Sequence, residues 1–186
     1  MGGHSKFVDL LLNIFSFSKY FLFVLVIGIA FAVLFGLPLL VKGESMMPNF
    51  LTGEVVVVEK ISYMNNKSIK RGDVVAARFP VDPDKTRIIK RVIGLPGDVV
   101  EVSGSYIFIN GEQLDESSYA PNYGPPPYEE ISYVKLQTDE YFLCGDNRPD
   151  SSDSRLWGPV FKEDILGRAA FTIWPVSRLR YIPRSL

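Results

Sequence analysis

Histidine and cysteine are almost absent from this chain: its 186 residues hold one of each, His4 and Cys144. A single cysteine closes no intramolecular disulfide and supplies no thiolate set for a zinc ion, so stability has to come from a packed core. No motif implies a metal or an organic cofactor. Neither sign of charge is in excess, with 20 Lys and Arg against 21 Asp and Glu and a net charge of -1. The basic field with which proteins track a phosphate backbone is therefore missing, and nucleic acid is not an expected partner. With 47% hydrophobic residues the chain supports one ordinary domain and a short appendage, not two full domains.

What is abundant comes early. Residues Phe21 to Val41 form an uncharged apolar run between Lys19 and Lys42. As a helix it spans roughly 30 Å, the thickness of a bilayer's hydrocarbon core, and the expectation is one transmembrane anchor over 20–41. A cleavable signal sequence ends in small residues, whereas this run ends in Leu39-Leu40-Val41. Ahead of it, in residues 1–19, Phe7, Leu10, Leu11, Ile14 and Phe15 recur at helical spacing. An interfacial helix and a plain packing helix both fit them. Pro38 is expected to end or kink the anchor, and Ser45 follows the run by at most about 14 Å of extended chain. Whatever Ser45 does, it does beside the membrane.

From Glu54 onward, short runs of valine, isoleucine and aromatics predict strands over Glu54–Lys60, Val74–Phe79, Thr86–Ile93, Val99–Val102, Tyr106–Ile109, Ile131–Leu136, Tyr141–Cys144 and Leu166–Ile173. Asn110-Gly111 marks a hairpin, and Leu95-Pro96-Gly97-Asp98 suits a type II turn. The expected fold is mainly β: antiparallel strands make one domain over 42–186, with a Pro-rich surface insertion near 119–130. Cys144, closing a strand, reads as a small buried apolar residue. Trp174, Arg178, Arg180, Tyr181 and Arg184 fit either a membrane interface or an ordinary C-terminal tail.

Three segments carry chemistry. The first is Gly43-Glu44-Ser45-Met46-Met47-Pro48, directly after the apolar run. The second, Ile89-Lys90-Arg91-Val92-Ile93-Gly94-Leu95-Pro96-Gly97-Asp98, sets a lysine inside an apolar strand. Alternation puts Ile88, Lys90 and Val92 on one face and Ile89, Arg91 and Ile93 on the other; a solvent-facing and a buried Lys90 both stand. The third is the polar run Gly145-Asp146-Asn147-Arg148-Pro149-Asp150-Ser151-Ser152-Asp153-Ser154-Arg155. A serine hydroxyl needs a base, and His4 is about a bilayer's width from Ser45. Lysine is the alternative, provided that an apolar pocket holds it neutral. Lys90 has apolar neighbours.

Taken together and in this order behind an anchor, the three segments resemble the boxes of the type I signal peptidase family. The resemblance implies coiled antiparallel sheets of the signal-peptidase type with one N-terminal transmembrane helix. It implies Ser45 as nucleophile, Lys90 as general base, Ser151 orienting the lysine, and Asp153 with Arg155 as a supporting ion pair; Arg91 and Asp146 look structural. Val41, Met46, Phe50 and Ile89 match the family's shallow substrate pockets. The implied substrates are secretory precursors bearing signal peptides, cut after small residues of Ala-x-Ala type. The implied location is the bacterial cytoplasmic membrane, single-pass, with the catalytic domain on the outer face of the lipid bilayer.

This sequence departs from the family at Gly43, where some members carry a serine that helps hold the oxyanion. The oxyanion hole then rests on backbone donors, the N–H of Ser45 first, with the second unassigned. Pro149 also gives the third segment a less usual local sequence. A specialised relative, associated with conjugation or with an organelle inner membrane, shares these boxes and is not separated by them. Self-cleaving repressors share a serine/lysine mechanism but lack a bilayer-length anchor. A membrane-tethered domain that binds exported chains without cutting them is the rival from another class.

Overall fold

The computed structural model describes residues 15–29, 36–63, 68–120 and 133–183. His4 and most of 1–19, nearly all of the Pro-rich insertion, the start of the Ile131–Leu136 strand and Arg184 lie outside them. Residues 15–29 form helix α1, exposed along its length. Among the described residues no helix is long and apolar enough to cross a membrane.

The end of the apolar run is not helical. Leu37–Leu40 is strand β1, paired antiparallel with β2, Val55–Glu59. The expectation of a single helix through Val41 is corrected there, and Pro38 explains part of the reason. Proline lacks an N–H and blocks the helical conformation of its predecessor, yet it is tolerated on an edge strand. β1 is the edge of its sheet. Gly36, at φ +103°, lies so close to the Val58 carbonyl that no side chain fits there.

The remaining strands are β3 (Val74–Arg78), β4 (Arg87–Gly94), β5 (Val99–Ser103), β6 (Tyr106–Ile109), β7 (Glu112–Gln113), β8 (Tyr133–Lys135), β9 (Glu140–Cys144), β10 (Val160–Phe161), β11 (Ile165–Trp174) and β12 (Arg180–Tyr181). They build an eight-stranded sheet in the order β1-β2-β11-β3-β4-β9-β10, with β12 on β11, and a second sheet in the order β7-β6-β5-β8. All pairings are antiparallel. Asn110 and Gly111 turn β6 into β7 at φ +54° and +86°, the left-handed values that the pair predicts. Gly97 at φ +88° and the Asp98 N–H to Leu95 carbonyl bond close the Leu95–Asp98 turn.

Irregular registers bend the large sheet. β11 shifts register at Ala169/Phe171, Thr172/Trp174 and Ile165/Gly167, and β4 shifts against β9 at Val92/Gly94. Bulges of this kind kink a strand and increase its twist. The sheet curls until β1 and β4, first and fifth in its order, line one cavity. β1 and β4 also run in the same direction, since four antiparallel pairings separate them. Around that cavity Val41, Met46, Phe50, Val56, Val74 and Ile89 form one core cluster. A second, with Val75, Val92 and Leu143, lies under β3, β4 and β9; a third, with Ile93, Val100, Ile107 and Phe142, joins the two sheets.

Residues 176–182 are integral to this body rather than a loose tail. β12 pairs with β11, and Arg178 and Arg180 both reach the buried carboxylate of Glu54. Trp174, Val176 and Leu179 nevertheless stay exposed.

Candidate active site

Ser45 and Lys90 line the same cavity, of about 90 Å³, between the β1 end of the chain and the start of β4. Lys90 comes from the middle of β4, where β3 pairs along its whole length while β9 pairs only from Arg91 onward. Among the described residues, 87–90 therefore keep a free edge toward the cavity, and β1, paired only with β2, offers another.

The lysine is buried, with 4% of its surface exposed. Its Nζ donates to Ser151 Oγ over 2.9 Å. Burial pulls its pKa down from 10.5 to about 8. The Asp153 carboxylate works against that fall, and the Arg155 guanidinium adds to it. An amine titrating near about 8 is neutral in a useful fraction at neutral pH and can accept a proton.

The polar run after β9 wraps around this pair. Asn147 N–H donates to the Ser45 carbonyl over 3.0 Å, and Asn147 Nδ2 donates to the Glu44 carbonyl over 3.2 Å. Gly145 passes so close to Ser151 and to the Ser45 carbonyl that a Cβ there overlaps both. Asp153 caps the short helix α2, Ser154–Trp157, accepts from Gly145 N–H, and takes Arg155 Nε over 2.8 Å. Burial works to raise the Asp153 pKa; the hydrogen bonds and charge of Arg155, then the charge of Lys90, outweigh it and hold the carboxyl below its ordinary value. Arg155 also donates to the Arg148 carbonyl over 2.8 Å, which ties the run to itself.

Two buried ion pairs brace the loop from behind. Arg91 binds Asp146 in a two-bond fork, both at 2.7 Å, and donates to the Gly72 carbonyl. Asn49 adds a third bond to Asp146, so the segment after Ser45 is fixed to the same carboxylate. Arg148 pairs with Glu116, which Tyr119 also contacts. Of these, Glu116, Tyr119 and Asn49 carry no sequence signal that marks them for the site.

The candidate pocket residues divide. Val41, Met46 and Ile89 line the cavity beside Ser45. Phe50 lies behind it in the same cluster, with the Arg180 guanidinium over its ring. Gly43 adopts φ +83° at the cavity mouth, with open space where a side chain would go. Cys144 is wholly buried; burial and then the Asp153 charge push its thiol pKa up, so it stays protonated and inert. Among the described residues no group of three or more His, Cys, Asp or Glu is placed to hold a metal ion.

The family model described as signal peptidase, peptidase S26, matches residues 14–174. The chain belongs to the peptidase S26 signal peptidases. It is 41% identical over 144 residues to a probable signal peptidase I-2 of Synechocystis, covering 75% of this chain and 63% of that protein. It is 32% identical over 177 residues to signal peptidase I P of Bacillus subtilis subsp. natto, covering 91% and 94%. It thus spans somewhat under two thirds of the first relative and nearly all of the second. A crystal structure of a signal peptidase I from Enterococcus faecalis is 31% identical, with a TM-score of 0.46, covering 56% of this chain and 98% of that one. All three segments singled out in the sequence fall within the stretch that matches the signal peptidase family.

Proposed function

We propose that this chain is a membrane-anchored serine endopeptidase that removes N-terminal signal peptides from exported precursors. The observation that carries the reading is the buried Lys90 amine, bonded to Ser151 on the wall of a cavity that Ser45 shares.

Neutral Lys90 takes the Ser45 hydroxyl proton as Oγ attacks the scissile carbonyl carbon. The resulting lysine ammonium passes that proton to the departing amine, and the peptide C–N bond breaks. Water, deprotonated by the same lysine, then hydrolyses the acyl-enzyme and returns Ser45. Ser151 orients the amine, and the Asp153–Arg155 pair holds Ser151's loop against it. The Ser45 N–H is the first oxyanion donor. A substrate segment adds as a strand between the free edges of β1 and β4, so its backbone supplies affinity. Its small side chains enter the shallow cavity lined by Val41, Met46 and Ile89, which excludes larger ones sterically and favours Ala-x-Ala sites.

The apolar run that starts at residue 20 anchors the protein in a single pass through the bacterial cytoplasmic membrane, with the β domain on the outer face. Its exposed helical residues, Phe21 through Ile29, support this reading. Reporter fusions at both ends of the run test orientation, and an outward N-terminus contradicts it.

The deciding assay is cleavage of a precursor with an Ala-x-Ala site by purified protein. Ser45→Ala and Lys90→Ala are expected to abolish it, and Lys90→Arg as well, because a guanidinium stays protonated. Unchanged cleavage by either alanine variant sinks the dyad.

A further inference from the structure

The cavity beside Ser45 does not end the groove. Leu39 and Arg87 line it and also line a second cavity, of about 170 Å³, farther back along β1 and β4. The second cavity has an apolar floor that includes Leu37, Val58, Ala76 and Leu166, drawn from four strands of the curled sheet. Its rim is basic: Lys60, Arg78 and Arg87 line it, and among the described residues no Asp or Glu lines either cavity. Arg78 is engaged, 3.5 Å from Asp164 and donating to the Glu163 carbonyl. Lys60 and Arg87 are exposed and make no ion pair among the described residues. Glu44 next to the nucleophile is exposed but outside both linings.

We infer that this second cavity is an additional specificity subsite, which reads the charge of the precursor upstream of the cut and favours an acidic over a basic side chain there. The inference rests on the proposed peptidase activity. The direction of the substrate follows from where its small residues sit. Those side chains precede the scissile bond, and the cavity that accepts them extends from Ser45 back toward Leu39 and Arg87. An extended chain advances about 3.3 Å per residue, so the segment roughly four to six residues before the cut lies over Leu37 and Arg87. There it meets Lys60 and Arg87, two exposed cations, above an apolar floor. A carboxylate gains from that field, a lysine is repelled by it, and an apolar stem of either fits the floor.

The test uses the full-length protein in detergent and three fluorogenic peptides. They share one Ala-x-Ala site and carry Glu, Gln or Lys at the fifth residue before the cut. Wild type is expected to favour the Glu over the Lys peptide in kcat/KM by about three- to tenfold at low salt, shrinking toward parity at high salt as exposed charges are screened. Arg87→Glu is expected to reverse the order, with the Gln peptide as each protein's own reference. Arg87→Gln, expected to narrow the preference without reversing it, serves if the reversed charge prevents folding. The same Glu:Gln:Lys ratio in wild type and in the Arg87 variants overturns the subsite. No cleavage of any peptide by wild type, or equal cleavage by Ser45→Ala, instead overturns the peptidase reading on which it rests.

Discussion

The backbone N–H of Asn147 donates to the carbonyl oxygen of Ser45 over 3.0 Å, joining the loop after β9 to the loop after β1. Gly145, two residues earlier, makes that approach possible because it brings nothing beyond its backbone. Gly145→Ala pushes a Cβ into both Ser151 and the Ser45 carbonyl. Overpacking of this kind costs about 1–3 kcal/mol. The expected outcome is a fold that survives and a cleavage rate reduced by more than about a hundredfold, read by chemical denaturation beside a peptide assay, since sub-ångström placement governs such chemistry. Full activity in this variant contradicts the close packing.

Ser151 is the hydrogen-bond partner of Lys90. A bond from such an amine contributes on the order of 1.5–3 kcal/mol, so Ser151→Ala is expected to lower kcat about 10- to 100-fold with little change in KM. Steady-state kinetics on one peptide checks the split.

Lys90 is also expected to set the pH dependence. With its pKa drawn down to about 8, activity should rise as pH climbs through that value and the amine loses its proton. The same shift has a sign in stability. Between about 8 and the ordinary 10.5 the unfolded chain holds a proton on this lysine that the folded one has released, so folding gains with rising pH. Measured against Lys90→Met, wild type is expected to gain about 3 kcal/mol across that window and to run parallel to the variant below it. Urea unfolding of both proteins from pH 7 to 10.5 reads the difference.

Asp153 and Arg155 are both buried and bonded to each other. Removing one leaves the other's charge without compensation, at a cost of about 3–5 kcal/mol. Asp153→Ala is therefore expected to lower the melting temperature sharply. The double variant Asp153→Leu/Arg155→Met should recover most of the stability while cleavage stays low, because Gly145 and Ser151 lose their hold. A double variant no more stable than Asp153→Ala contradicts this account.

Much of the strand pattern was legible because short runs rich in valine, isoleucine and aromatics mark it: β2, β3, β4, β5, β6, β9 and β11 fall within a residue or two of their expected bounds. β1 was not, since Leu37–Leu40 continues an apolar run without a break in composition, and only pairing to Val55–Val58 distinguishes strand from helix. β7, β10 and β12 are two residues long, too short for any period to show. Ser151, Asp153 and Arg155 were legible only through the family resemblance, since the polar run by itself reads as a solvated loop. Glu116 under Arg148 and Asn49 on Asp146 were hidden because each bond spans a long separation and neither partner's spacing hints at the other. The free edges that flank the cavity follow from sheet order at β1 and from the stagger of β9 against β4, neither of which a local pattern carries.

Only residues 30–36 separate the described helix from β1, and β1 is itself one lip of the groove. Eight steps of chain reach at most about 29 Å. The lip then has no freedom to swing, being locked into four registered pairs with β2. On the proposed function, whatever holds the helix also limits where along a precursor the cut falls, like the stop on a saw bench. Lengthening residues 30–36 is then expected to move that stop and leave the chemistry at Ser45 intact.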